Sequence, residues 1–242
     1  MSGFDEYYNG FYKELSKIDE KGNSFKKIES FLPELEGNEE FLDIGCGHGA
    51  VSSDLIKQGY EVSAIEINKD AIKSLENKGF IVYEKDISKP LNLSKKFDVV
   101  LILDVLEHLF DPYSLLKETT KLLKKDKYLI VTIPLYFDIF DRFKILFTGS
   151  VISMDNLCYG VVNYRKFRSY NYDHIRFFRP KDILEMSENL GLKVDKIEYK
   201  ASGYGGDSKI MGLIFRLIAN KYTIKINPNL FAHSMKIRWK AI

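Results

Sequence analysis

The sequence predicts an α/β fold, a doubly wound and mostly parallel sheet with helices on both faces, and three observations carry that reading. Between residues 40 and 133 short apolar runs alternate with longer amphipathic stretches. One of those runs passes straight through a glycine-rich turn into a helical pattern. Phe97 to Leu103 is apolar at nearly every position, as suits a central strand buried on both faces.

The elements follow in order. Residues 1–39 are expected to form an N-terminal helical segment, and Glu40 to Ile44 a first strand. That strand ends in Gly45-Cys46-Gly47-His48-Gly49, after which Val51, Leu55 and Ile56 supply the apolar face of a helix. Tyr60 to Glu66 reads as a second strand, Lys69 to Asn77 as a helix and Phe80 to Tyr83 as a third strand. Phe97 to Leu103 is the fourth. Pro112 suits the first turn of a helix running to about Leu123, and Tyr128 to Ile133 is the fifth strand. From Tyr136 to Phe178 the texture changes: twelve of 43 residues are Phe or Tyr, with no clean period. Pro180 then opens a helix over Lys181 to Asn189, Leu192 to Tyr199 reads as a strand, and Ser234 to Ile242 as a last, antiparallel one. The expected division is therefore 1–39, a core at 40–134, an aromatic lid insertion at 135–179, and 180–242 completing the sheet.

Composition narrows the function classes. The 242 residues carry 36 Lys+Arg against 34 Asp+Glu, a net charge of +2, too balanced for an obligate nucleic-acid binder. The average hides a segregation: residues 1–208 carry −5, and residues 209–242, which contain no acid, carry +7. Ile210, Leu213, Ile214, Leu217 and Ile218 follow helical spacing within that basic end. Two readings stay open there, a peripheral contact with an anionic membrane and a core-packed helix followed by a lysine-guarded edge strand. Two distant cysteines, Cys46 and Cys158, and the lack of a long apolar run lead to the expectation of a soluble cytoplasmic protein without disulfides.

The glycine turn carries chemistry. Glycines let backbone approach a ligand closely, and the next helix offers N–H groups to an anionic group. Alone, Gly45 to Ala50 also satisfies the dinucleotide pattern G-x-G-x-x-A, so a nicotinamide dehydrogenase is a competing reading. Glu66 closes the second strand 21 residues after Gly45, where a carboxylate can accept from ribose hydroxyls. Asp86 follows the third strand and Asp104 the fourth. Acids at successive strand ends would share the carboxyl edge of the sheet, where open α/β sheets bind ligands.

With Leu42-Asp-Ile-Gly-Cys-Gly-His-Gly49, Glu66, Asp86-Ile87, Phe97-Asp-Val-Val100 and Asp104-Val-Leu-Glu-His-Leu-Phe-Asp-Pro112, the sequence resembles the class I S-adenosylmethionine-dependent methyltransferases. It is most similar to their small-molecule and quinone-biosynthesis O-methyltransferase branch. The resemblance implies a Rossmann-like seven-stranded sheet and bound adenosylmethionine. Gly45, Gly47 and Gly49 would line its methionine moiety, with Asp43 organising the loop and Cys46 also in the cofactor site. Glu66 would hold the ribose, Asp86 and Ile87 the adenine, Asp104 would lie beside the methionine end, and Ile67 would also belong to the cofactor site. A dehydrogenase gives no role to Asp86 or to the Asp104–His108 segment.

Methyl transfer from a sulfonium needs alignment more than a nucleophile, but a hydroxyl acceptor must lose a proton. His174, beside the lid, is the first candidate base, and His108 the second. In some quinone O-methyltransferases the segment matching Asp104 to His108 binds a divalent metal; no metal is expected here. Arg165, Lys166, Arg168, Arg176 and Arg179 are candidates to meet an anionic group on the acceptor, a small molecule such as a quinone precursor, sugar or lipid-linked intermediate. N- or carboxyl-methylation, and a non-catalytic adenosylmethionine-binding partner, are the alternatives.

Overall fold

The computed structural model describes residues 24–148, 174–201, 213 and 217–242. Seven strands form one sheet: β1 (Glu40–Ile44), β2 (Glu61–Glu66), β3 (Ile81–Glu84), β4 (Phe97–Leu103), β5 (Leu123–Pro134), β6 (Lys193–Ala201) and β7 (Ala232–Lys240). Their spatial order is β3-β2-β1-β4-β5-β7-β6. β1 to β5 pair in parallel, whereas β7 inserts antiparallel between β5 and β6. The expected doubly wound seven-stranded sheet with its antiparallel last strand is therefore present.

Chemistry in the sequence fixes the connections. α1 (Ser53–Lys57) follows the glycine turn, and α2 (Lys69–Asn77) starts where the Asn68 side chain accepts from the N–H groups of Asp70 and Ala71. α3 (Pro112–Leu122) starts under Asp111, whose carboxylate accepts from Ser114 N, with Pro112 in the first turn. α4 (Ile139–Thr148) leaves β5, α5 (Pro180–Asn189) leads into β6, and α6 (Lys221–Ile226) and α7 (Pro228–Phe231) precede β7.

Side chains of β4 explain its apolar run. Val99 and Leu101 pack into the layer with Phe41, Val62, Ala64 and Ile130, while Val100 and Ile102 pack into the opposite layer with Leu42, Val131, Ile237 and Trp239. At the amino end of the sheet, Asp98 accepts from Glu40 N (3.0 Å) and Lys124 Nζ (2.7 Å), and Lys127 Nζ stands 3.1 Å from it. This nearly buried carboxylate ties β1, β4 and β5 together where their backbones begin.

Several expectations change. β5 begins at Leu123, not Tyr128, because Leu123 pairs with Phe97 across a register shift that the charged run Lys124 to Lys127 conceals. α1 is a single short helix, since the turns of the glycine loop extend to Ser52. Residues Ile139 to Thr148, read as aperiodic, are helical. Between residues 24 and 39 there are only short 3₁₀ turns, with Phe25, Ile28 and Phe31 buried. The rest of the N-terminal segment, the insertion from 149 to 173 with Cys158, Arg165, Lys166 and Arg168, and most of 202–216 lie outside the described residues. Among the described residues no helix is long and apolar enough to cross a membrane.

Trp239 is fully buried near the end of β7, opposite Leu129 on one side and Val194 on the other. Trp239→Ala is expected to cost about 3–5 kcal/mol of unfolding free energy, measured as a lowered urea midpoint at unchanged slope.

Candidate active site

The carboxyl ends of β1 to β5 converge on a single edge, and Glu66 organises it. Its Oε2 accepts from Gly47 N at 3.0 Å, and its Oε1 accepts from Ile67 N at 2.7 Å and Asn68 N at 2.9 Å. The side chain is 2% exposed, so a buried charge is held by three backbone donors from two loops. Gly45, Gly47 and Gly49 have φ of 70°, 55° and 71°, the left-handed region that favours glycine. A Cβ on Gly49 would lie 2.7 Å from Leu75 Cδ2 and 2.8 Å from Phe80 Cζ, so this glycine also lets α2 close against the loop.

Asp43 lies beneath the loop, where it accepts from Ser52 Oγ at 2.6 Å. Burial, helped by the nearby Glu66 charge and opposed by the Ser52 hydrogen bond, pushes its pKa up to about 7. The Cys46 thiol is pushed well up by burial and by Asp43 and Glu66, which makes it an inert thiol. Asp86 behaves oppositely: partial burial works against ionisation, but Ser88 and Lys89 outweigh it and hold the carboxyl below its usual range. Ile87 reaches the loop itself, its Cδ1 standing 3.5 Å from where a Gly45 Cβ would be.

Asp104 ends β4 at φ 54°, a strained conformation for a residue with a side chain. Two bonds hold it there. Its N–H donates to Thr132 O (3.1 Å), and Thr132 Oγ1 donates to its Oδ1 (2.9 Å). The reversal feeds the 3₁₀ turn Leu106–His108, and the Glu107 carbonyl then accepts from Ile175 N (2.9 Å) and Arg176 N (3.0 Å). His174 is thereby brought beside His108, their rings 4.6 Å apart and edge to face. His174 Nε2 lies 3.8 Å from Glu107 Oε1, His108 Nε2 lies 4.0 Å from it, and the Tyr136 hydroxyl hydrogen-bonds His174 Nδ1.

The two histidines singled out from the sequence thus share one site, yet they differ. Burial, with His108 beside it, drives His174 down to about 3, so its ring is neutral at neutral pH. Burial and Asp104 push Glu107 up to about 8. Glu107, His108 and His174 each offer a ligand atom, all within 4.8 Å of one another, and Glu107 Oε2 meets no hydrogen-bond partner among the described residues. A carboxylate with two imidazoles is a donor set that suits a divalent transition-metal ion. Sequence reasoning missed Tyr136, Thr132 and Ser52. The first two flank the carboxyl end of β5, and that position was their one legible signal. Of the candidate arginines, Arg176 is turned to the Phe110 carbonyl and Arg179 to Asp182, so neither faces this cluster.

Gly49→Ala is expected to weaken the loop by about 1–3 kcal/mol and to show as a lower urea midpoint. Asp43 and Glu107 both bind protons more tightly folded than unfolded. Each therefore leaves stability intact below about pH 4 and withdraws it as pH rises toward 7 and 8. Asp43→Asn should lose about 2–3 kcal/mol less than the parent between pH 5 and pH 8 in urea titrations of the free protein.

Comparison with known proteins agrees with this architecture. A family model described as a methyltransferase domain matches residues 16–197. A ubiquinone biosynthesis O-methyltransferase of Rickettsia bellii is 24% identical over 219 residues, covering 87% of this chain and 80% of the relative. Another of that name from Pelagibacter ubique is 28% identical over 166 residues, covering 66% and 64%. Among solved structures, a putative methyltransferase of Bacillus halodurans superposes with a TM-score of 0.60 at 17% identity, covering 91% of this chain and 99% of that one. A possible histamine N-methyltransferase of Thermotoga maritima superposes with a TM-score of 0.60 at 18% identity, covering 99% of both. The matched domain and the fold together make this chain a member of the class I S-adenosylmethionine-dependent methyltransferases.

Proposed function

We propose that this enzyme methylates a hydroxyl oxygen of a small, quinone-like acceptor. The observation that carries the reading is the Glu107–His108–His174 cluster beside Asp104: a proton acceptor is what an O-methyltransferase needs and an amine or carboxylate methyltransferase can omit. The relatives named for ubiquinone biosynthesis, at 24% and 28% identity, support the quinone-like class.

Bound adenosylmethionine supplies an electrophilic methyl group on a sulfonium. Around it, Gly45, Cys46, Gly47 and Gly49 would line the methionine moiety, held in shape by Asp43 and Glu66. Glu66, at the end of β2, would accept from a ribose hydroxyl. Ile67, half exposed at the end of β2, would cover the ribose side, and Asp86 with Ile87 the adenine. Asp104 would sit beside the methionine end. Transfer of that methyl group to an acceptor hydroxyl would release the hydroxyl proton, which a side chain of this site would have to take. We assign that proton to His108. Its side chain is 26% exposed where that of His174 is 11%, and the depressed basicity of His174 makes it the poorer acceptor. His174 then acts as a neutral wall of the site, fixed by Tyr136. A second reading is favoured by the ligand geometry and by Glu107 Oε2, which has no hydrogen-bond partner among the described residues: Glu107, His108 and His174 would hold a divalent ion acting as a Lewis acid on the acceptor oxygen.

Calorimetry with adenosylhomocysteine and a catechol or hydroquinone panel assayed for methyl ether tests the whole reading. His108→Ala should lower kcat by about 100-fold or more while leaving adenosylhomocysteine binding within a few-fold, and His174→Ala should cost less. Activity that collapses on chelation and returns with divalent ion would select the metal reading. Activity on amines alone, or tight binding of NAD in place of adenosylhomocysteine, would overturn the proposal.

A further inference from the structure

Seven large apolar side chains stand in water on two neighbouring segments of this chain. On α4, Phe143, Leu146 and Phe147 occupy one helical face at i, i+3 and i+4, and Leu146 and Phe147 are 72% and 76% exposed. The rings of Phe143 and Phe147 stack on each other 6.1 Å apart, for want of a core to enter. On the other segment, Leu213, Leu217, Tyr222 and Ile226 are exposed, Ile226 by 82%. Arg142 bridges the two, its Nη2 donating to Asn229 O at 3.2 Å while its Nε donates to Phe137 O. Both segments adjoin the end of the sheet where β5 closes and β7 opens, since Pro134 pairs with Ser234. That is the edge at which β1 to β4 meet the glycine loop and the histidine cluster.

Charge decides what would cover such a face. Of the bases in the C-terminal region, Lys236, Arg238 and Lys240 are answered within the protein by Glu198, Asp195 and Asp126. The uniform basic tail read from the sequence is therefore partly neutralised. Lys221 and Lys225 are different. They are exposed at i and i+4 of α6, beside the row formed by Tyr222 and Ile226, and Lys221 lies over the Tyr222 ring at 5.0 Å. Residues 139–148 and 217–231 contain one acid, Asp141, and it is buried. A second copy of the chain pairing through this face would bring Arg142, Lys221 and Lys225 toward their own like with no exposed carboxylate from these segments to meet them. An anionic phospholipid surface answers both the apolar side chains and the bases.

We propose that the face formed by α4, Leu217 and α6 docks on an anionic bilayer, so that the acceptor site opens at the lipid surface. The docking itself is independent of the methyl-transfer chemistry. Its use, giving the enzyme access to an amphipathic acceptor held in the bilayer, rests on the function proposed above.

Flotation of the full chain with vesicles tests it. The protein is expected to float with phosphatidylcholine vesicles containing about one quarter phosphatidylglycerol, not with phosphatidylcholine alone, and several-fold less at about 300 mM salt than at about 50 mM. Leu146→Asp with Phe147→Asp should abolish flotation. Lys221→Glu with Lys225→Glu should weaken it about tenfold or more, given roughly fivefold per lysine near an anionic surface. Failure to float with anionic vesicles, equal flotation with neutral ones, or variants that float like the parent would overturn the proposal. So would a dimer in sedimentation velocity that Leu146→Asp with Phe147→Asp dissolves, because the face would then belong to a second copy. Adenosylhomocysteine calorimetry on every variant shows that the fold is kept. Loss of that binding in the parent would count against the enzymatic reading alone, and loss of flotation against the docking alone.

Discussion

The buried carboxylate of Glu66 is the constraint on which the strand-end architecture depends. A charge at 2% exposure persists only if donors surround it, and among them are the backbone N–H groups of Gly47, Ile67 and Asn68. The glycine loop after β1 is thereby bound to the end of β2, and the start of α2 is bound to the same side chain. Charge-assisted bonds of this kind contribute about 1.5–3 kcal/mol each, enough to hold three glycines in left-handed conformations that an isolated peptide would leave. The same negative charge reaches Asp43 and Cys46 and helps to keep both protonated. The loop is therefore shaped by hydrogen bonding and electrostatics before any ligand arrives, so less ordering has to accompany binding.

The acceptor side is built by a different device. Asp104 turns the chain sharply at the end of β4, Thr132 holds the turn from the end of β5, and the Glu107 carbonyl captures Ile175 and Arg176. Residues more than sixty positions apart thus form one cluster through backbone hydrogen bonds, which place the His174 ring beside His108. Strain at Asp104 sits where catalytic geometry would be set, a common location for stored backbone strain. Because methyl transfer relies on alignment, an edge assembled from rigid strand ends is well matched to it.

Much of the fold was legible because each parallel strand here carries its own signal. Phe97 to Leu103 announces burial on both faces, and Asn68, Asp111 with Pro112, and Pro180 mark helix starts by their own chemistry. The beginning of β5 was hidden because Lys124 and Lys127 are there to meet Asp98, a tertiary reason for charges at the head of a strand. Similarly, α4 escaped notice because its apolar residues face outward in part, so no inward-facing period betrays it.

The sequence by itself determined the sheet, the glycine loop with its acidic strand ends, and the segregation of charge toward the C-terminal region, because these rest on local spacing and composition. Only the tertiary structure decided which charges remain exposed and how far burial weakens His174 as a base. Lys236, Arg238 and Lys240 find acids on other elements, and His174 becomes a weak base through burial and a neighbour 66 positions away. Charge and proton affinity are set by what surrounds a group in space, and the linear order of residues does not contain those surroundings.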